Sequence, residues 1–144
     1  MQLDLPAGDF DGYIFDLDGT LIDTMPLHYR AWDAAMRAVG LPHALDEDYF
    51  YALGGLPTRR VAELFGERYG LKLDPDEVFH RKEALFAELQ GEATLIEPVV
   101  TIARAKAGTH PLAIASGGPR VIVRRSLEVT GIGPLFRAVV TADD

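Results

Sequence analysis

Short apolar runs alternate with longer stretches of helical periodicity along this chain, and their order predicts the fold. Residues 12–15 (Gly-Tyr-Ile-Phe) form a β-prone apolar run that stops at Asp16, the pattern of a buried strand. From about residue 24 to about residue 93 the pattern is helical throughout. Leu27, Trp32, Met36 and Val39 share one helical face, and Gly40 ends the run. Asp46-Glu47-Asp48 opens a short helix that stops at Gly54-Gly55. Thr58 is placed to cap a third, with Val61, Leu64 and Phe65 as its apolar face and Gly70 as its end. Asp74-Pro75-Asp76-Glu77 combines an N-cap, Pro at the first helical position and Glu at the third, which starts a fourth helix running to Gln90.

The pattern changes after Ile96. Residues 98–107 read as a helix closed by Gly108, and residues 111–115 as a buried strand ending at Ser116-Gly117-Gly118. Residues 119–130 read as a helix closed by Gly131, and residues 138–140 as a third strand ending at Thr141. Helices alternating with short apolar strands imply an α/β fold with a parallel sheet. The expected architecture is a Rossmann-like sheet of about three strands formed by residues 1–23 and 94–144, with residues 24–93 inserted as a helical domain.

Composition narrows the partners. The net charge of −8 argues against nucleic acid, whose phosphates attract Lys and Arg. It leaves room for small phosphorylated ligands, which need only local positive charge. The absence of cysteine excludes disulfides and thiolate metal sites. The first residues lack the basic and apolar regions of a signal peptide, and no run approaches the roughly 18 apolar residues of a membrane helix. The expectation is a cytoplasmic protein without a membrane partner.

The candidate chemistry sits where the first strand ends. Asp16 and Asp18 are at i and i+2, so a turn beyond the strand can aim both carboxylates at one ligand. Phosphoryl transfer suits such a pair: one carboxylate attacks phosphorus, and the other carries the proton. A magnesium ion bound by oxygen ligands would offset repulsion between carboxylate and phosphate. Gly19 lets the backbone approach the phosphate. A calcium loop fails on spacing, because its Gly and Glu positions fall on Leu21 and Leu27.

Phe15-Asp16-Leu17-Asp18-Gly19-Thr20-Leu21-Ile22-Asp23-Thr24 resembles the first motif of the haloacid dehalogenase superfamily. Residues 26–32 resemble the cap segment of its β-phosphoglucomutase-like branch. Gly55-Leu56-Pro57-Thr58 with Arg60 resembles the cap loop of fructose-1-phosphatase-like members. Residues 114–117 resemble the second motif, and residues 136–144 the third core strand and its turn. The resemblance covers nearly the whole chain in the right order. It implies Asp16 as nucleophile, forming an aspartyl-phosphate, and Asp18 as general acid/base. Both would serve Mg2+, Asp18 through its carbonyl. Ser116 and the Gly117 amide would hold the phosphate. On the cap, His28, Thr58, Arg59, Arg60 and Lys82 would face or bind the substrate, and Asp23 would be a structural hydrogen-bonder near the hinge. The implied activity is a Mg-dependent phosphatase acting on a small sugar phosphate. The alternatives are a β-phosphoglucomutase-type phosphosugar mutase and a non-catalytic binding remnant.

Two parts of the family pattern do not occur in this sequence: a lysine after the third strand and an acidic pair after the fourth. Asp143-Asp144 follow the third strand, so they are not that pair. The resemblance therefore implies a C-terminally truncated member with weak or no activity by itself. Its first strand would be left as an uncovered apolar edge, open to self-association.

Overall fold

A computed structural model describes residues 3–144. The chain divides into two compact units, one made of the residues up to Thr24 with Gly91–Asp144, the other of Met25–Gln90.

The first unit is built on a three-stranded parallel sheet. Its strands are β1 (Tyr13–Phe15), β4 (Leu112–Ala115) and β5 (Ala138–Val140), in the spatial order β1-β4-β5. Tyr13 pairs with Leu112, Phe15 with Ile114, and Ile114 with Val139. A separate antiparallel pair joins β2 (Ile22–Asp23) to β3 (Thr94–Leu95), two elements too short to leave a periodic signal. Helix α5 (Glu97–Ala107) precedes β4, and α6 (Arg120–Thr130) connects β4 to β5. Both steps cross the sheet in the same direction, and right-handed crossovers then put both helices on one face. Val100 and Ala103 of α5 and Val123 and Leu127 of α6 accordingly share a core with Leu112 and Ile114, and Tyr13, Phe15 and Val139 pack against it.

The opposite face carries Ile14, Ala113, Ala115, Ala138 and Val140, which are in register across the three strands. Ile14 is 76% exposed and Val140 52%. The fully buried strand expected at residues 12–15 is therefore half right: β1 is an edge strand, half-buried at Tyr13 and Phe15 and open at Ile14.

The second unit contains α1 (Met25–Ala38), α2 (Glu47–Ala52), α3 (Thr58–Tyr69) and α4 (Pro75–Leu89). Trp32, Met36, Phe50, Val61, Phe65 and Val78 form its core, with Trp32 edge-on to Phe65 at 5.1 Å. Two start signals act differently from expectation. Thr58 is the first residue of α3 rather than its cap; Pro57 holds the cap position and no side chain caps this end. Asp74 does cap α4, accepting from the Asp76 amide, but Glu77 pairs with Arg81 instead of reaching back. Helix α4 stops at Leu89, and a 3₁₀ turn over Gln90–Glu92 follows.

Candidate functional site

The chain leaves β1 at Phe15 and closes a tight loop around one carbonyl. The amides of Thr20, Leu21 and Ile22 all donate to Leu17 O, at 3.2, 3.0 and 3.1 Å, and the Gly19 amide donates to Ile22 O at 2.8 Å. This closure needs a left-handed residue, and Gly19 supplies it with φ 76°. The side chains divide by chemistry. Leu17, Leu21 and Ile22 are fully buried beneath the loop, so they anchor it. Asp16 is left exposed and Asp18 half-buried on either side of Leu17.

Each carboxylate meets a hydroxyl. Thr20 Oγ1 donates to Asp16 Oδ2 at 3.4 Å, a long bond that leaves the carboxylate free to engage a ligand. Thr24 Oγ1 donates to Asp18 Oδ1 at 2.5 Å, and Thr24 is fully buried. Asp18 is thus fixed in orientation while Asp16 is not. The sequence assigned Thr24 no separate role. A Thr just before a helical run reads as a cap, and only the tertiary fold turns its hydroxyl back six residues.

The loop after β4 lies alongside. Ser116 is buried, its amide donates to Val140 O at 2.9 Å, and its Oγ accepts from the Gly118 amide at 3.1 Å. A methyl group on Gly118 would stand 3.4 Å from Ser116 Oγ and 3.9 Å from Asp18 Oδ2. The Ser116–Gly118 turn and Asp18 are therefore neighbours, although a hundred residues separate them in sequence. Gly117 is exposed, with open space around its Cα. Gly118 is a second residue the sequence did not single out; the Gly-Gly doublet was its only trace.

The loop after β5 completes the same end of the sheet. Asp144 Oδ2 accepts from both the amide and the hydroxyl of Thr141, each at 2.9 Å, and Asp144 is ion-paired with Arg120. The Asp143 carboxylate accepts from the Arg120 amide at 2.7 Å. Both acids are occupied in closing the loop onto α6. The Thr141 hydrogen bonds, reinforced by Arg120, hold the Asp144 carboxyl below the usual carboxylate range. All three loops follow the carboxyl ends of parallel strands, where open α/β sheets present their ligand sites.

For a divalent cation, Asp16 and Asp18 offer hard oxygen donors of the kind Mg2+ takes. Among the described residues, no group of three His, Cys, Asp or Glu side chains is gathered as a ready metal site. Mg2+ commonly uses only one or two protein carboxylates, with water and phosphate oxygens filling the remainder. The donor set fits that incomplete type of site.

Of the cap candidates, His28 and Lys82 converge on one ring within the helical unit. His28 stacks flat on Phe86 with centroids 3.8 Å apart, and the Lys82 ammonium lies 5.2 Å from the same ring. Lys82 is 3% exposed, so it is not the solvated lysine that is the commoner case. Arg59 is exposed and pairs with Asp76 at 2.5 Å; Arg60 pairs with Glu63 at 2.7 Å and Glu67 at 3.6 Å. Thr58 is half-buried beside them. Asp23 lies exposed in β2 opposite Thr94.

Known proteins share both the sequence and the fold. The fructose-1-phosphate phosphatase YqaB of Escherichia coli is 32% identical over 134 residues, which cover 93% of this chain and 70% of that protein. The crystal structure of a predicted phosphoglycolate phosphatase from Haemophilus somnus superimposes with a TM-score of 0.73 at 26% identity, over 92% of this chain and 62% of that one. A haloacid dehalogenase-like family hydrolase from Streptococcus pneumoniae has the same fold, with a TM-score of 0.76 at 21% identity, covering 89% and 59%. The chain thus spans roughly two-thirds of the length of its relatives. Residues 13–144, the stretch that holds every strand and both acidic loop residues, match the haloacid dehalogenase-like hydrolase family, and the chain belongs to it.

Proposed function

We propose that the protein is a phosphatase of small sugar phosphates, working through an aspartyl-phosphate on Asp16. The observation that carries this reading is the division of labour at the β1 loop. Asp16 is exposed and loosely held, Asp18 is fixed by Thr24, and the Ser116–Gly118 turn lies against Asp18. The E. coli relative named for fructose 1-phosphate and the phosphoglycolate phosphatase relatives support the substrate class.

The steps follow from these positions. An Asp16 oxygen attacks phosphorus in line, and the bond from phosphorus to the sugar oxygen breaks. Protonated Asp18 gives its proton to that leaving oxygen. Water then attacks the phosphoenzyme, Asp18 takes a proton from it, and the Asp16–phosphorus bond breaks to release phosphate. The Thr24 hydroxyl keeps Asp18 aimed through both transfers. The Ser116 hydroxyl and the exposed Gly117 amide donate to the phosphate oxygens. Asp16 and the Asp18 carbonyl would hold Mg2+, which when bound supplies positive charge against the phosphate. In this reading residues 24–93 are the cap domain, and residues 1–23 and 94–144 are the core domain. His28, Thr58, Arg59, Arg60 and Lys82 are the cap's candidate substrate contacts, and Lys82 differs from the two arginines in being buried.

The test is phosphate release from fructose 1-phosphate with and without Mg2+, and binding of inorganic phosphate followed at the amides of Asp18 and Gly117. Release that Asp16→Asn abolishes supports the reading and overturns the expectation of weak or no activity from this chain alone; a parent that releases phosphate and an Asp16→Asn protein that releases it equally fast sink the reading. Glucose 6-phosphate formed from glucose 1-phosphate would assign the mutase alternative. A second reading, a non-catalytic protein that pairs with its own copies, is favoured by the open β1 edge and the exposed Ile14. A monomer at high concentration by sedimentation would refute it.

A further inference from the structure

Helix α6 starts without a cap of its own. Pro119 holds the N-cap position, and a proline side chain has no oxygen to offer the first amides. The acceptor comes instead from the loop after β5, where Asp143 Oδ2 accepts from the Arg120 amide at 2.7 Å. An acid at this place also suits the positive end of the helix dipole. The same loop grips the turn after β4 at two more points. The Ala142 amide donates to Gly118 O at 3.1 Å, and the Arg120 guanidinium pairs with Asp144. Thr141, which is buried, holds Asp144 in turn through its amide and its hydroxyl.

These links meet at Gly118. Its carbonyl is held by Ala142, and its amide donates to Ser116 Oγ at 3.1 Å. It also lies against α6, where a methyl group added to it would stand 3.2 Å from Val123 Cγ2. Ser116 Oγ accepts the Gly118 bond, so its own hydroxyl proton is left to donate elsewhere. The first amide of α6 is already taken by Asp143. An anion at this turn is therefore left with the Ser116 hydroxyl and the amide of exposed Gly117.

We infer that Asp143 is a positioning residue of the Ser116–Gly118 turn, capping α6 from the neighbouring loop so that the turn is set before phosphate arrives. The inference rests on the phosphatase reading, in which this turn receives the phosphate, and adds the group that keeps it in place. Asp143 acts through the Arg120 amide and the loop it closes. A turn already fixed loses less freedom on binding, so the cap is felt as affinity.

NMR titration of the full chain with inorganic phosphate at fixed Mg2+, followed at the Gly117 amide, tests this on the parent, Asp143→Ala and Asp143→Asn. Asp143→Ala removes the acceptor and weakens phosphate by about fivefold, the worth of one helix cap. Asp143→Asn keeps an acceptor oxygen and restores most of the affinity. A merely structural role lowers the urea midpoint of Asp143→Ala and leaves its phosphate affinity unchanged, which overturns the inference while the phosphatase reading stands. Equal weakening by both variants also overturns it, because the acceptor would not then be what matters. If Asp143→Ala does not fold, hydrogen exchange decides. An Arg120 amide protected in the parent and in Asp143→Asn supports the inference, and one exchanging like an unbonded amide in the parent overturns it. A parent that binds no phosphate overturns both.

Discussion

Replacing Thr24 with Val tests how much the buried Thr24 hydroxyl contributes to holding Asp18. The two side chains have nearly the same shape, so the substitution removes the donor to Asp18 Oδ1 and creates no cavity at this fully buried position. Hydrogen bonds to charged groups contribute about 1.5–3 kcal/mol. Asp18 is half-buried and water can reach part of it, which puts the loss near the lower end, about 1.5 kcal/mol. With a urea dependence of about 1.5 kcal/mol per molar, the midpoint falls by about 1 M. Thr24→Ser is the matched control. It keeps the hydroxyl and loses one buried methyl, a cost of about 0.8 kcal/mol. The assay is urea unfolding followed at the amides of Leu21 and Ile22, whose bonds to Leu17 O report the loop directly. The order of stability should be parent, then Thr24→Ser, then Thr24→Val. Thr24→Val unfolding at or above the Thr24→Ser midpoint would refute the reasoning, because the hydroxyl would then contribute less than a methyl group. Under the phosphatase reading, Thr24→Val also slows phosphate release more than Thr24→Ser does.

Other expectations follow from single features. Phe65→Ala empties a fully buried ring site beside Trp32 and Tyr49 and should cost about 3–5 kcal/mol; Trp32 is the sole tryptophan, so its fluorescence reports the loss. Asp144, held below the usual carboxylate range by the Thr141 amide and hydroxyl and then by Arg120, stabilises the folded state above the ordinary carboxylate pKa, near 4. That stabilisation is lost as pH falls through its depressed folded-state pKa. Thr141→Val should raise the Asp144 midpoint in a carboxyl NMR titration, and an unchanged midpoint would refute the assignment. Ile14→Lys, at a position 76% exposed, should change stability by less than about 0.5 kcal/mol and reduce any self-association seen by sedimentation.

Local chemistry made much of this protein readable from its sequence. The parallel strands at 13–15, 112–115 and 138–140 were visible because apolar runs of that length, broken by turn residues and separated by helical periodicity, have few other solutions. The four helices of the inserted unit were legible from apolar faces at helical spacing in α1 and α3, from acidic start signals in α2 and α4, and from the glycines that follow them. The two-residue strands β2 and β3 were not, because they repeat nothing and exist only by pairing with each other across some seventy residues. The cap of α3 was misread because a Thr at a helix start can serve as cap or as first residue, and here Pro57 takes the turn.

At the candidate site the same division holds. The Asp16–Asp18 spacing and the glycine after it are properties of the chain, because residues at i and i+2 turn to the same side while Leu17 between them is buried. The Thr24 bond to Asp18 and the approach of Gly118 to the same carboxylate are not. Burial decides them, since a hydroxyl or a carboxylate withdrawn from water must find partners nearby, and only the folded chain fixes which groups those are.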